Sequence, residues 1–303
     1  MIDTSNLVVI IVLNINKKED TLECLERVFA LSDCSYEVIV VDNGSTDGSV
    51  EAIAAAFPKV HLVKSPKNLG VSGGRNLGIR YADKFNHKYL LFLDNDTLVK
   101  KDSLNKMMKA IEKDPRIGII SPKSYKSGDA KIIACAGGMK VNLYTGSIWN
   151  VGLGEMDKGQ YDQPKFITSC AGFAFLVRRE VIQHVGPFDE IFNPYGWEDV
   201  DFSLRSTKLG FKIFYEPQAL VYHKGGKFGR GTPLPEYERY KARNFFILMK
   251  CHANPLQWVS LILWFPLKAV FFIANELLRG HFKAVWAQVK GSLMFLKGKF
   301  LRE

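Results

Sequence analysis

Three short, near-continuous apolar runs, each ending in a polar residue, constrain this chain most strongly. Leu7–Leu13, Tyr36–Val41 and Tyr89–Leu93 stop at Asn14, Asp42 and Asp94. A run with no polar alternation reads as a strand covered on both faces, which is the pattern of parallel sheets. Between the runs, apolar residues recur at helical spacing. Lys18–Leu31 shows it through Leu22, Leu25, Val28 and Phe29, and Gly74–Phe85 and Ser103–Asp114 repeat it. A further helix starts near Ser49, and Val60–Val63 and Ile117–Ser121 add two strands. Strands alternating with amphipathic helices predict an α/β fold with a mostly parallel, Rossmann-like sheet and helices on both faces. Ligands of such sheets lie beyond the carboxyl ends of the strands. Asn14 and Asn16, Asp42 and Asn43, and the triplet Asp94-Asn95-Asp96 all fall there.

The pattern loosens after residue 125. Residues 128–163 are irregular and glycine-rich, Phe166–Val177 reads as a strand, and Glu198–Leu209 as a short helix. Phe211–Tyr215 and Ala219–His223 read as two strands, Lys224–Pro235 as a Gly/Pro loop, and Glu236–Lys250 as a helix. The loop is compatible with a flap that closes over a ligand and equally with an ordinary surface loop. Residues 1–250 are therefore expected to form one catalytic-type domain, divided into halves 1–125 and 126–250, with 251–303 apart.

Charge marks the last segment as different. Residues 1–200 carry 24 Lys+Arg against 25 Asp+Glu, a balance of −1, whereas 201–303 carry 17 against 6, a balance of +11. Leu256–Leu278 is mostly apolar but is interrupted by Pro266, Lys268 and Glu276, and its longest uncharged stretch, 253–267, is too short to span a bilayer. Downstream, Phe282, Val285, Trp286, Val289, Leu293, Leu296 and Phe300 share one helical face, flanked by Lys283, Lys290 and Lys297. Helices lying on an anionic membrane surface fit this pattern, since lysines snorkel to headgroup phosphates. Helices packed on the domain, or a homo-oligomer contact, remain open. Apolar residues beside the charges disfavour nucleic acid as the partner. The amino terminus lacks a basic segment and a small-residue cleavage site, and the five cysteines form no CxxC pair. Both point to the cytosol, at the inner face of the membrane.

Several residues have the chemistry of a phosphate-ligand enzyme. Asp94 and Asp96 suit a hard divalent cation that also holds phosphate oxygens, although a lone DxD also fits a solvated turn. Asp42 can accept from a nucleobase imide or ribose hydroxyls, or simply cap the turn that follows. The stretch Asn68–Asn76 is a glycine-rich loop opening a helix. It offers backbone N–H groups and the Arg75 guanidinium to a diphosphate. It matches neither the Walker loop nor GxGxxG, which argues against a P-loop NTPase or an NAD enzyme. Trp197-Glu198-Asp199 begins a helix, where acids complement the helix dipole or, alternatively, one serves as a general base beside a flat aromatic face. His223 suits a metal ligand or a structural hydrogen bond.

In their order, VVDNGSTDGS, NLGVSGGRNLG, LLFLDND, WEDVDFSLR and VYH resemble the motifs of family-2 glycosyltransferases of the GT-A fold, with rhamnosyltransferase-like members most similar. The resemblance covers roughly residues 5–250. It implies an inverting enzyme that moves a sugar from a nucleotide diphosphate, with dTDP-rhamnose favoured over UDP-galactofuranose, UDP-glucose or UDP-GlcNAc, to a glycan acceptor, lipid-linked given the basic tail. It further implies Mg²⁺ or Mn²⁺ held by Asp94, Asp96 and His223. Leu13, Asn14, Asn16, Asp42, Asn43, Asn68, Arg75, Asp94 and Asn95 would contact the nucleotide sugar. Asp199 would be the catalytic base, and Gly172, Trp197 and Glu198 would place the acceptor. Two other functions compete. A sugar-nucleotide pyrophosphorylase carries a glycine-rich loop after the first strand, where this chain reads LNINKKEDT. A non-catalytic glycan-binding subunit would not require the intact acids.

Overall fold

A computed structural model describes residues 6–32, 34–225 and 234–298. Strands β1 (Val8–Asn14), β2 (Tyr36–Asp42), β3 (His61–Lys64) and β4 (Tyr89–Asp94) alternate with helices α1 (Lys18–Phe29), α2 (Ser49–Ala56) and α3 (Gly70–Ala82). They lie side by side in the order β4-β1-β2-β3, all parallel. In β1, Val8, Ile10 and Val12 pack into one core with Cys24, Leu25 and Val28 of α1. Val9 and Ile11 point the other way, into a second core with Ile79 and Ala82 of α3. Burial on both faces is what makes these runs uniformly apolar.

Beyond β4 the sheet becomes mixed. The short β5 (Thr97–Val99) is followed by α4 (Ser103–Ile111), β6 (Ile117–Lys126) and β7 (Asp129–Ala136), then by a separate hairpin of β8 (Met139–Asn142) and β9 (Ser147–Asn150). β10 (Lys165–Ile167), β11 (Ala174–Arg178), α5 (Arg179–Val185), α6 (Glu198–Lys208) and β12 (Lys212–His223) complete the sheet and its cover. β11 lies antiparallel between β4 and β6, and β12 runs parallel to β6. The strand ends Asn14, Asp42, Asp94 and His223 share one rim.

Three expectations need correction. Phe166–Val177 is not one strand: β10 pairs with β12 and β11 with β4 and β6, so 168–173 must cross between them. Conversely, 211–215 and 219–223 belong to one strand, β12, whose register against β6 slips between Glu216 and Leu220. That bulge absorbs Pro217, which cannot donate to the ladder. Finally, α8 (Pro255–Leu278) runs unbroken through Pro266. By length and composition alone it is apolar enough to cross a membrane, and it is mostly exposed.

α7 (Pro235–His252) packs along α9 (Phe282–Leu296), so residue 250 falls in the last turn of a helix held from both sides. Most of the loop 224–235 and Phe300 lie outside the described residues.

Candidate active site

The β1–β2 corner of the rim is a closed hydrogen-bond network. Asn14 donates through Nδ2 to Asp42 Oδ1 (2.9 Å) and Ser45 Oγ (3.2 Å), while its Oδ1 accepts from Thr21 Oγ1 (2.7 Å) and Asn95 Nδ2 (3.1 Å). The other Asp42 oxygen accepts the Ser45 N–H at 3.1 Å, so Asp42 does cap the turn. Asn16 adopts a left-handed backbone (φ 48°), and its side chain accepts from Thr46 N–H at 2.8 Å. Thr21 and Ser45 were not singled out in the sequence, because an isolated hydroxyl there carries no pattern.

The start of α3 differs from expectation. Asn68 Oδ1 accepts from Gly70 N–H (2.8 Å), and Asn43 Oδ1 from Leu69 N–H (2.9 Å). Pro194 O takes Val71 N–H (2.8 Å), and Asn193 Oδ1 takes Ser72 N–H (3.1 Å). The free donors of this helix end are thus consumed by the protein and are not open to a diphosphate. The glycines have another cause. A Cβ on Gly74 would meet Leu13 Cδ1 at 2.4 Å, and one on Gly78 would meet Ile11 Cγ2 at 2.6 Å. They let α3 sit directly on β1.

Arg75 is also turned inward. Its guanidinium is 3% exposed and donates to Asp94 Oδ1 (3.1 Å), Glu198 Oε1 (3.3 Å) and Gly172 O (2.8 Å). Burial opposes its charge, but Asp94, Glu198 and Asp199 outweigh that and raise its pKa. Arg75 organises the acids of the cleft from beneath and is not presented to a ligand.

At the centre of the rim, ligand atoms of Asp94, Asp96 and His223 lie within 4.8 Å of one another. His223 Nε2 stands 3.1 Å from Asp96 Oδ1, and its ring stacks on Phe173 with centroids 4.4 Å apart. Burial alone would raise the Asp96 pKa and lower that of His223. Their mutual contact outweighs burial and shifts each the other way, towards the charged form. Two carboxylates and an imidazole converging on one point match the donor set of a hard or borderline divalent ion.

The remaining acid belongs to α6. Asp199 is 9% exposed. Its Oδ2 accepts Gly172 N–H at 2.7 Å and its Oδ1 accepts Val200 N–H at 2.8 Å. Burial, reinforced by the neighbouring Glu198 charge, pushes its carboxyl up to about 7 despite the opposing pull of Arg75 and the two N–H groups. A carboxylate poised near neutrality is suited to take a proton. Gly172 is necessary for this approach, because a Cβ there would sit 2.8 Å from Asp199 Oδ2. The next residue, Phe173, backs His223 and accepts Asp94 N–H through its carbonyl at 2.9 Å. Two consecutive residues thus join the acid trio to Asp199.

Trp197 begins α6 with φ 71°, a costly conformation for an aromatic residue. It is held by its Nε1–H, which donates to Lys241 O at 3.0 Å. The loop before it is clasped by α7. Asn244 donates to the carbonyls of Phe192, Tyr195 and Gly196, and Arg243 to those of Ile191 and Asn193. Neither residue was visible as functional in the sequence, since their partners lie some fifty positions away.

Residues 8–186 match the family model described as glycosyl transferase family 2. Among characterised relatives, the N-acetylglucosaminyl-diphospho-decaprenol L-rhamnosyltransferase of Mycobacterium tuberculosis is 26% identical over 261 residues, covering 77% of this chain and 84% of that protein. The dTDP-rhamnosyl transferase RfbF of Shigella flexneri is 26% identical over 234 residues, 75% of each chain. The solved structure of GalNAc-T7 with UDP, GalNAc and Mn²⁺ superposes with a TM-score of 0.67 at 17% identity over 84% of this chain. This chain spans only 49% of that one, and the likeness is one of fold. The matched model spans more than half of the chain, including the β1 and β4 rim and Gly172, and on that ground the chain belongs to glycosyl transferase family 2.

Proposed function

We propose that this glycosyltransferase carries out inverting, divalent-metal-dependent transfer of rhamnose from dTDP-rhamnose to the hydroxyl of a lipid-linked glycan, in synthesis of a cell-surface polysaccharide. The observation that carries the reading is Asp199, a buried carboxylate pushed up to about 7, joined through Gly172 and Phe173 to the trio Asp94, Asp96 and His223. The similarity to the mycobacterial and Shigella rhamnosyltransferases supports rhamnose.

Asp94, Asp96 and His223 fit a Mg²⁺ or Mn²⁺ ion. Such an ion supplies charge neutralisation for a departing diphosphate. Asn16, Asp42 and Asn95, at the β1–β2 corner, border the nucleoside with Leu13 beneath. Asn14, fully buried and bonded to Asp42, Ser45, Thr21 and Asn95, fixes that corner from below, while Asn43 and Asn68 brace it from behind. Asp199 removes the proton from the acceptor hydroxyl as its oxygen bonds to the anomeric carbon. The diphosphate leaves from the opposite face, so configuration inverts and one base suffices. Arg75 holds Glu198 and Asp94 in register, and Trp197 and Glu198 border the acceptor.

The enzyme works from the cytosol, peripheral on the inner membrane face. Residues 256–303 carry seven Lys+Arg against two Glu. Leu263, Leu267, Phe271 and Trp286 are exposed on α8 and α9. Lys268, midway along α8, donates to Thr145 O at 2.8 Å and to Ser147 Oγ at 2.5 Å. Tied to the β8–β9 hairpin at its middle, α8 is suited to lie in the headgroup plane and not to cross.

Calorimetric titration with dTDP and with UDP, each with and without Mn²⁺, tests the donor site. Metal-dependent binding of dTDP is expected. Binding of UDP alone would overturn the donor assignment, and binding of neither would overturn the site. Asp199→Asn is expected to keep nucleotide binding and lose turnover; full activity of that variant would refute the base.

A further inference from the structure

We infer that one face of α7, running through Tyr237, Lys241 and Phe245, is the acceptor track, which takes a sugar joined through a phosphate or diphosphate to a lipid chain. The inference rests on the transferase reading above and adds the residues and the anionic linkage that they would recognise. Residues four apart stack along one helical face, with about 6 Å of rise between successive members. That spacing is comparable to a hexose ring and then to a diphosphate. The three side chains change character in the matching order.

Tyr237 lies at the catalytic end. Its ring stacks at 5.2 Å on Tyr195, which lies in the loop leading into Trp197, Glu198 and Asp199. Lys241 comes next, with its ammonium 5.0 Å from the Trp197 ring centroid and 5.4 Å from that of Tyr237. Phe245 lies at the apolar end, stacked on Phe265 of α8 at 6.1 Å and packed against Gly146 at the tip of the β8–β9 hairpin. Tyr144 and Trp149 of the β8–β9 hairpin and Trp264 of α8, next in sequence to Phe265, are exposed.

Lys241 is distinguished from the other cations of the cleft by what it does not touch. Arg75 is committed to Asp94 and Glu198, and Lys224 to Asp20 and Glu23. Among the described residues, the Lys241 ammonium has no carboxylate partner and is cradled by two aromatic rings. Ring faces position a cation without neutralising it, so its charge stays available to a phosphate. The order of acid, cation and apolar junction along α7 is the order of groups in a lipid-phosphate-linked sugar.

The test uses the full chain in detergent, with farnesyl diphosphate and farnesol as probes and binding read by tryptophan fluorescence. Lys241→Gln is expected to weaken farnesyl diphosphate roughly tenfold or more, the loss of one charge-assisted contact. Farnesol binding and dTDP–Mn²⁺ binding should be unchanged, and Lys241→Arg should restore the diphosphate. Equal binding of farnesyl diphosphate by wild type and Lys241→Gln would overturn the track, as would equal weakening of farnesol. These measurements need no turnover. A chain that binds the diphosphate through Lys241 yet transfers no sugar would support the track and count against the transferase reading alone.

Discussion

Replacing Arg75 with Met removes a buried cation while keeping most of the side-chain volume. The guanidinium lies 3.1 Å from Asp94 and 3.3 Å from Glu198. At an effective dielectric of about 20, each contact corresponds to roughly 5 kcal/mol of gross attraction, largely offset by desolvation of the charges. Asp94 is 36% exposed, so its share shrinks to the surface-pair level of under about 1 kcal/mol. Glu198 is 9% exposed and loses a true buried partner. Breaking such a pair costs about 3–5 kcal/mol, a fall in Tm of roughly 6–15 °C for a chain of this size. The loss depends on pH. Asp199 already has its pKa raised to about 7 by burial and Glu198, and removing Arg75 raises it further. An acid raised in the folded state lowers stability once the pH exceeds its unfolded value near 4, and the penalty reaches its full size above the folded value. Thermal unfolding of Arg75→Met should therefore show its largest deficit near pH 8 and a smaller one at pH 5. A Tm within about 2 °C of wild type at pH 8, or a deficit that grows on acidification, would refute the reasoning.

Four further outcomes are expected. Gly172→Ala puts a Cβ 2.8 Å from Asp199 Oδ2, and turnover should fall about a hundredfold, as for a displaced catalytic group, with dTDP affinity unchanged in calorimetry. The rate of transfer should rise with pH through about 7, because Asp199 acts as a base only when deprotonated; a profile flat from pH 5 to 9 would exclude it. Asp96→Asn should reduce dTDP affinity in Mn²⁺ to the value found with EDTA, as titration will show. Changing Lys283, Lys290 and Lys297 together to Gln should weaken co-sedimentation with anionic vesicles about a hundredfold at low salt, at about 1 kcal/mol per lysine, and leave the weaker binding to neutral vesicles unchanged.

How much of this was legible in the sequence depended on how local its cause was. β1, β2 and β4 could be read directly, since burial on both faces writes itself into composition. Asp94 and Asp96 were readable as a pair at a strand end, but His223 was joined to them only by the family resemblance, because β12 reaches the same rim across an antiparallel strand, β11. The glycines of α3 were misleading: a run that resembles a phosphate cradle exists because α3 packs against Leu13 and Ile11. Pro217 hid the continuity of β12, because a bulge that accommodates a proline cannot be told from a chain break. The residues between β10 and β11 concealed a crossing behind an apolar string. Tyr237, Lys241, Arg243 and Asn244 gave no signal, since each acts on a loop some fifty residues earlier.

The clasp of α7 on the loop 191–196 has a consequence for how the molecule unfolds. Five main-chain carbonyls of that loop, from Ile191, Phe192, Asn193, Tyr195 and Gly196, find their donors on two adjacent side chains, Arg243 and Asn244. Those side chains stay in place only while α7 is held by α9 and by the catalytic half. α9 is therefore coupled, through α7, to the loop 191–196. Opening of α9 is expected to loosen α7 and the loop 191–196 together, so these three should exchange and melt as one piece.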